Sequence, residues 1–178
     1  PKPLAFTFAG DDVYLPVSIH SQIAATSFIS GEIDMTGDGQ PETISLVEGR
    51  VHIESKGSLV WQSEPDWVVQ DVALGDPNND GRFEALVAFW KPDETGQMRS
   101  QPFVIGYRRG LFGTWWGGSP LDRPLFEVAL ADVDGDGDQE LLALEGRSQD
   151  HSNKMRGVTV WRWHGWGFSQ QWGSVPGV

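Results

Sequence analysis

The fold is decided by one stretch of this sequence, Asp132-Val133-Asp134-Gly135-Asp136-Gly137-Asp138-Gln139-Glu140. It follows the pattern Asp, any three residues, Asp-Gly, any two residues, Glu. The same pattern recurs at residues 34–42 (DMTGDGQPE) and at residues 76–84 (DPNNDGRFE). We name these segments loop 1 (34–42), loop 2 (76–84) and loop 3 (132–140). Self-similarity of this kind indicates a repeat architecture, in which each unit packs on its neighbours.

The residues around each loop also repeat. One apolar run precedes the loop and another follows it, and two more strand-like runs complete the unit, the last of which carries Trp. The runs are residues 25–33, 43–47, 50–53 and 59–61; then 68–74, 85–89, 102–107 and 114–116; then 125–133, 141–144, 157–163 and 168–172. The loops begin 42 and then 56 residues apart, and the longer interval holds polar insertions near residues 91–101 and 117–122. Four strands in roughly 40–50 residues is the period of a β-propeller blade.

Glycine and proline punctuate the whole chain, with 22 and 11 copies, and no window shows a helical apolar stripe. We therefore predict an all-β fold of propeller-type blades, each with four antiparallel strands. Residues 1–178 form a single repeat domain, with an N-terminal hairpin (1–20) and three blades (21–66, 67–124 and 125–178).

Closed propellers have about four to eight blades. Three alternatives follow: the chain belongs to a longer propeller, two chains associate into a ring, or the hairpin joins the last blade.

Charge and composition exclude several classes of protein. The formal net charge of −12 repels phosphate backbones, so we expect no nucleic-acid partner. No apolar run approaches the roughly 18 residues of a transmembrane helix, so we expect no membrane span. The absence of Cys excludes disulfides and thiolate metal sites. The chain opens on Pro1-Lys2-Pro3 without an initiator Met, which leads us to expect a mature or trimmed fragment.

The loops have the chemistry of calcium sites. Ca²⁺ takes about six to eight hard oxygen ligands, and alternate residues of a tight loop direct their side chains at one centre. Neither thiol nor imidazole is present in the loops, which argues against zinc or copper. The main-chain carbonyl of Asp138 is a further candidate ligand. The candidate ligands are Asp34, Thr36, Asp38, Gln40 and Glu42 in loop 1; Asp76, Asn78, Asp80, Arg82 and Glu84 in loop 2; and Asp132, Asp134, Asp136, Asp138 and Glu140 in loop 3.

The three loops differ in their number of acids, and loop 3 has the most. Together they hold 11 of the 25 acidic residues, five of them in loop 3, so we predict that loop 3 binds most tightly. The opening of each loop also fits an EF-hand, but its twelfth position requires Glu, and Ser45, Val87 and Ala143 stand there. An acidic turn held by Asx-type hydrogen bonds, without a metal, is the alternative.

The repeats resemble the FG-GAP and VCBS type, found in integrin-like propellers and in many bacterial surface and secreted proteins. The resemblance covers residues 21–178 and is carried most firmly by residues 131–144. It implies calcium bound in the loop between two strands of a blade. It also implies an extracellular, periplasmic or cell-surface location, and a binding face and a partner that differ from member to member.

The chain has nine Trp residues, for which packing between blades is the first interpretation. The alternative is a lectin-like module in which exposed Trp side chains stack on sugar rings. Its candidate ligand-binding residues are Trp115, Trp116, Trp163 and Trp166. Because neighbouring strand residues point to opposite faces, at most one of Trp115 and Trp116 is expected in the core.

We expect no catalysis by this chain. His20, His52, His151 and His164 are scattered, and the chain has neither a nucleophile elbow nor a phosphate-binding loop. Carboxylates committed to calcium are poor general acids, which argues against a glycosidase. The sequence therefore predicts a calcium-stabilised binding or scaffold domain with a protein or glycan ligand. The alternatives are the lectin-like module and an accessory domain of a larger extracellular enzyme.

Overall fold

A computed structural model describes residues 30–118, 121, 123–146 and 156–174. These residues form twelve β-strands and no helix, which confirms the all-β prediction. The predicted N-terminal hairpin lies outside the described residues. The strands are β1 (Ser30–Ile33), β2 (Glu42–Val47), β3 (Arg50–Ser55), β4 (Ser58–Gln62), β5 (Val68–Gly75), β6 (Glu84–Pro92), β7 (Met98–Arg108), β8 (Leu111–Gly117), β9 (Leu125–Ala131), β10 (Glu140–Gly146), β11 (Arg156–Trp163) and β12 (Phe168–Gly173).

The strands form three separate four-stranded sheets in chain order, β1 to β4, β5 to β8 and β9 to β12. Within each sheet, every strand pairs antiparallel with the next one along the chain. The sheets are therefore the blade-like meanders that the repeat predicts, and we name them blade 1, blade 2 and blade 3. None of the described segments forms a helix of the length and apolarity that crossing a membrane requires.

Three of the hairpins turn on two residues with positive φ, which the strand twist favours. They are Glu48-Gly49 (51° and 78°), Lys56-Gly57 (52° and 74°) and Arg109-Gly110 (52° and 86°). Glycine at the second position of each turn accepts this backbone without the steric cost of a Cβ. The sequence pair X-Gly thus sets the register of these hairpins locally.

The polar insertion near residues 91–101 lengthens a hairpin. β6 and β7 continue to pair through it, with Lys91 opposite Arg99 and Pro92 opposite Met98. Asp93 closes the turn by accepting hydrogen bonds from the backbone N–H of Thr95 at 2.9 Å and from that of Gln97 at 3.0 Å. The extra residues of the second unit therefore extend blade 2 at the edge opposite loop 2.

A β-bulge recurs at the same place in all three blades. The register between the third and fourth strands shifts at Ile53/Glu54, at Val104/Ile105 and at Val160/Trp161. After each shift, a Trp of the fourth strand pairs with the third strand. These are Trp61, Trp116 and Trp172. The repeated Trp in the sequence thus marks a repeated structural position.

Blade 2 lies between the other two, and its strand β6 is buried from Glu84 through Trp90. Two apolar clusters cover its two faces, because alternate strand residues point in opposite directions. The cluster against blade 1 joins Ile44, Val51 and Ile53 to Val87, Phe89 and Ile105. The cluster against blade 3 joins Leu86, Ala88 and Val104 to Leu125, Leu141 and Trp161. An apolar run on both faces of one strand is what a sandwiched blade requires.

Hydrogen bonds add to the apolar contact between blades 2 and 3. The backbone N–H of Val128 donates to the buried Asp71 carboxylate at 3.0 Å, and the Trp90 indole donates to the carbonyl of Leu125 at 2.7 Å. Buried polar groups that are satisfied in this way favour one relative placement of the two sheets.

We expect Gly75→Ala to destabilise the junction between blades 2 and 3. A Cβ at Gly75 would overlap Oε1 of Gln139 and would lie 3.0 Å from Leu130 Cδ1. Overpacking of this kind costs about 1–3 kcal/mol of unfolding free energy, which urea denaturation would measure. Gly113→Ala is the matched control, because a Cβ there meets no atom within 4 Å. In a Gln139→Ala background the cost should shrink. An equal cost in both backgrounds would contradict the assigned contact.

Candidate metal centres in the acidic loops

The three acidic loops occupy equivalent places, each between the first and second strands of its blade. In an antiparallel meander this connection lies at the same edge as the turn between the third and fourth strands. Residues 56–57, 109–110 and 164–167 form those turns. Loops 2 and 3 touch, because the Gln139 side chain accepts a hydrogen bond from the backbone N–H of Asp76 at 2.8 Å. The acidic residues are therefore concentrated along one edge of the stacked blades.

The first Asp of each loop holds the turn together by accepting backbone N–H groups. Asp34 accepts from Gly37 at 2.7 Å and from Gly39 at 2.8 Å. Asp132 accepts from Gly135 at 2.7 Å and from Gly137 at 3.1 Å. Asp76 accepts from the backbone N–H groups of Asp80 at 3.0 Å and Gly81 at 2.7 Å. These Asx-type bonds are the alternative that the sequence left open, and they coexist with the clustered carboxylates described below.

The fourth and sixth positions of the loops have left-handed backbones, as their residue types predict. The sixth is Gly in every loop, with φ of 82° at Gly39, 82° at Gly81 and 95° at Gly137. The fourth position has φ of 55° at Asn79 in loop 2. Because L-residues other than Gly, Asn and Asp rarely adopt this conformation, the loops fold alike despite their different sequences.

Loop 3 brings three carboxylates together. One oxygen from each of Asp132, Asp134 and Asp136 lies within 4.8 Å of the other two, in a group that is exposed to solvent. The Arg162 guanidinium, from strand β11, binds Asp136 and also lies 3.2 Å from Asp134 and 3.5 Å from Asp138. The pKa of Asp136 is lowered by a hydrogen bond from the Asp138 backbone N–H and by Arg162. A cation of the protein thus lies against the carboxylates of this loop.

Loop 2 forms a second group, from Asp76, Asp80 and Glu84, whose oxygens also lie within 4.8 Å of one another. Here the protein's own cation is Arg108, at the end of β7, which binds Glu84 and lies 2.7 Å from Asp80. Its guanidinium also lies over the Trp115 ring, 5.6 Å from the centroid. Glu84 is fully buried, so this group combines exposed and buried acids.

The ninth residue is a buried Glu in every loop, but only two of the three receive the same hydrogen bond. The backbone N–H of Met35 donates to Glu42 at 2.9 Å, and that of Val133 donates to Glu140 at 3.0 Å. Both donors are the second residue of their loops. Loop 2 has Pro77 at this place, and proline has no N–H. Glu84 therefore lacks the donor that its counterparts use.

Two carboxylate oxygens of the loops are buried without a hydrogen-bond donor in the described part of the chain. Oε2 of Glu84 and Oε1 of Glu140 are buried and have no hydrogen-bond partner among the described residues. An unpaired buried acceptor is costly. Burial raises the pKa of Glu84 to about 7, against the opposing effect of Arg108. Burial likewise raises the pKa of Glu140.

Loop 1 differs, because its acids are not gathered at one point. Asp34, Asp38 and Glu42 form no such group within the described part of the chain. Lys56 pairs with Asp38 at 2.9 Å and lowers the pKa of that carboxyl. The Ser55 hydroxyl donates to the second oxygen of Glu42 at 3.0 Å. The acids of loop 1 are thus satisfied by the protein.

The seventh position of every loop, and the third position of loops 1 and 2, mainly shape the loops. The seventh residues use their backbone N–H to bond the fifth-position carboxylates, at 2.9 Å for Gln40, 3.1 Å for Arg82 and 3.0 Å for Asp138. At the third position, the Thr36 hydroxyl donates to Asp34 at 3.4 Å, and the Asn78 amide lies 3.5 Å from Glu84 Oε1.

The basic partners of the loops are what reasoning from the sequence missed. Lys56, Arg108 and Arg162 all lie within one residue of the end of the third strand of their blades. The signal was present, since each repeat has a basic residue there. It could be interpreted only once the pairing of the second and third strands had placed that end beside the loop.

The four candidate Trp residues divide into two kinds. Trp116 and Trp163 pack edge-to-face, with centroids 5.4 Å apart, and the Trp116 indole donates to the carbonyl of Trp166 at 3.0 Å. Trp115 is the extra residue of the bulge and is 43% exposed, while Trp166 is 82% exposed. As predicted, only one of Trp115 and Trp116 packs against the core.

No protein-family model matches the chain, and no curated protein matches its sequence.

We expect Glu84 to make the metal-free protein less stable as the pH rises from 5 to 8. The pKa of Glu84 in the folded state is about 7, raised from 4.5. Between these values the folded state retains a proton that the unfolded state releases, so the unfolding free energy falls by at most about 3 kcal/mol. Urea denaturation in EDTA would show this loss, and Glu84→Gln should remove it.

The matched control is Glu94→Gln, in the exposed turn after β6, which should keep the pH dependence of the parent chain. The comparison of the parent chain with Glu84→Gln isolates one titratable group, because these two proteins share all their other carboxyls. An equal pH dependence in the parent chain and in Glu84→Gln would contradict the assignment.

Proposed function

We propose that this chain is a calcium-stabilised, propeller-type binding or scaffold domain of a secreted or cell-surface protein, with no catalysis of its own. The observation that carries the proposal is the pair of carboxylate groups at equivalent loops of two blades, each with oxygens within 4.8 Å. The resemblance of residues 131–144 to FG-GAP and VCBS repeats agrees with it. That resemblance also supports an extracellular, periplasmic or cell-surface location.

The residues present fit a hard divalent cation. Asp132, Asp134 and Asp136 would hold it in loop 3, and Asp76, Asp80 and Glu84 would hold it in loop 2. These side chains offer only oxygen, the donor that Ca²⁺ prefers, and a flexible loop with water suits its variable coordination better than the strict octahedron of Mg²⁺. The unpartnered, buried oxygen of Glu84 is a further argument for a ligand of positive charge.

A bound cation would act by ordering the loops. It would neutralise carboxylates that otherwise repel one another and would fix the turn between the first and second strands of a blade. Because loops 2 and 3 touch through Gln139 and Asp76, ordering one loop supports the other. The result is a rigid edge formed by loops from adjacent blades, which is suited to presenting a binding surface.

The protein's own guanidinium groups compete with such a cation. Arg162 binds the acids of loop 3 and Arg108 those of loop 2. A metal would have to displace these ion pairs, most of which are exposed and therefore of small individual value. Calcium binding and arginine pairing are thus alternative ways of neutralising the same carboxylates.

The partner is a protein or glycan, and three further proposals stand beside this binding role. Self-association, or the remainder of a longer propeller, would complete the blade stack.

A lectin-like module is favoured by one observation, the 82% exposure of Trp166 in a turn beside the acidic loops. A pure scaffold would bind no sugar, which separates the two functions. An accessory domain of a larger extracellular enzyme is the third proposal.

Calcium should raise the melting temperature of the chain. A ligand at about 100 times its dissociation constant stabilises by about 2.7 kcal/mol, which corresponds to roughly 5–10 °C for a protein of this size. Asp136→Asn should lose most of this rise, and Asp66→Asn, at an exposed turn distant from the loops along the chain, should retain it. Differential scanning calorimetry with calcium and with EDTA is the measurement. Identical melts in the two conditions would overturn the calcium proposal.

Arg162→Gln should make the chain depend more strongly on calcium. Without metal it loses the counter-charge of loop 3 and should melt at a lower temperature, whereas its affinity for calcium should rise several-fold because no guanidinium must be displaced. Isothermal titration calorimetry measures the affinity. Arg99→Gln is the control of equal charge, since Arg99 pairs with Asp93 at the opposite edge of blade 2. A weaker calcium affinity in Arg162→Gln would contradict the competition.

A further inference from the structure

The two junctions between neighbouring acidic loops are built differently. Between loops 2 and 3, Gln139 fills the junction. Its side-chain oxygen accepts a hydrogen bond from the backbone N–H of Asp76, and its backbone N–H donates to Asn79 Oδ1 at 2.8 Å. The eighth position of loop 2, which corresponds to Gln139, is Phe83. Its side chain is 50% exposed. A cleft of about 400 Å³, lined by both loops, lies between loop 1 and loop 2.

One wall of this cleft is cationic. Arg82 and Arg109 line it, and both are exposed and form no ion pair among the described residues. The reason lies in blade 2. In blade 1 the residue at the corresponding turn, Lys56, pairs with its own loop. In blade 2 the preceding residue, Arg108, takes that role, so Arg109 remains available.

The opposite wall carries hydrogen-bond acceptors. It is formed by loop 1, with Asp34 and Thr36 among its lining residues. The Asp34 carboxylate already accepts backbone N–H groups of its own loop, so the hydroxyl oxygen of Thr36 is the acceptor left for a ligand. The cleft is therefore polarised, with donors on the side of blade 2 and acceptors on the side of blade 1. A ligand with a carboxylate at one point and N–H groups at another matches both walls.

The remaining lining is aromatic. Phe83 and Tyr107 line the cleft, and Tyr107 is held against Phe112 with ring centroids 4.8 Å apart. The backbone of Arg109 belongs to the two-residue turn after β7, where its φ is 52°. Apolar walls with a few placed polar groups and a volume of a few hundred cubic ångströms are the usual make-up of a ligand site.

We propose that this cleft binds a short peptide segment of a partner protein. A carboxylate of the peptide pairs with Arg82 and Arg109, one of its N–H groups donates to the Thr36 hydroxyl oxygen, and an apolar side chain packs on Phe83. Arginine suits this role because its planar fork binds a carboxylate with two hydrogen bonds. The inference rests on the proposed binding role, to which it gives a place and a partner class.

A singly charged group fits better than a phosphate. Asp34 lines the cleft, and the acids of loops 1 and 2 lie beside it in a chain whose net charge is −12. Like charges at close range disfavour a doubly charged ligand. The carboxylate could come from an acidic side chain or from a chain terminus, and the experiment separates these sources.

The test uses the full chain, ¹⁵N-labelled, with four probes in the presence of calcium. They are acetyl-Phe-Glu-amide, acetyl-Phe-Gly with a free carboxylate, acetyl-Phe-Gln-amide and glucuronic acid. We expect one or both carboxylate peptides to shift the amide signals of Gly37, Gly81 and Arg109, with a dissociation constant of about 1 mM. Acetyl-Phe-Gln-amide and glucuronic acid should bind at least about tenfold more weakly.

The double variant Arg82→Gln/Arg109→Gln should weaken peptide binding by at least about tenfold, while Arg99→Gln should leave it unchanged. The inference is overturned if neither carboxylate peptide shifts these signals at about 10 mM, if the neutral peptide or glucuronic acid binds equally well, or if Arg99→Gln weakens binding as much as the double variant does. The calcium-induced melting shift, measured on the same samples, tells a failure of this site apart from a failure of the calcium proposal.

Discussion

The repulsion between clustered carboxylates is the constraint on which the loop edge of this protein depends. Each blade turns from its first to its second strand through a loop whose acids are needed to accept backbone N–H groups, as Asp132 does for Gly135 and Gly137. The same acids then lie close together, and their charge must be balanced. In loop 3, Arg162 supplies a counter-charge, and a divalent cation would supply a stronger one.

The ninth-position glutamates connect this edge to the core. Glu42, Glu84 and Glu140 are each at most 2% exposed and begin the second strand of their blades, so the charge of the loop extends into the apolar interior. Loop 2 is the extreme case. Pro77 removes one donor, and the pKa of Glu84 rises to about 7 as burial disfavours its charged form. Carboxyls with strongly shifted pKa values are concentrated at functional sites of proteins.

The blades share a plan but differ in how they meet. Blade 2 is covered on both faces, and its junction with blade 3 includes hydrogen bonds from Val128, Trp90 and Gln139 as well as apolar contact. At the loop edge, the junction with blade 1 leaves a cleft. A repeat architecture permits this difference, because each interface is set by its own pair of neighbours.

The repeated nine-residue pattern and the runs beside it were sufficient to predict the all-β class, the four-stranded units and the loops that carry the acids. These features are local, since an Asp at the first position and a Gly at the sixth act within a single turn. The pattern could not say which carboxylates converge, that loop 1 is satisfied by Lys56 and Ser55, or that Arg108 and Arg162 face the acids. The contacts of Lys56, Ser55, Arg108 and Arg162 with the loops join residues more than ten positions apart. They depend on the register of the paired strands, which the nine-residue pattern does not encode.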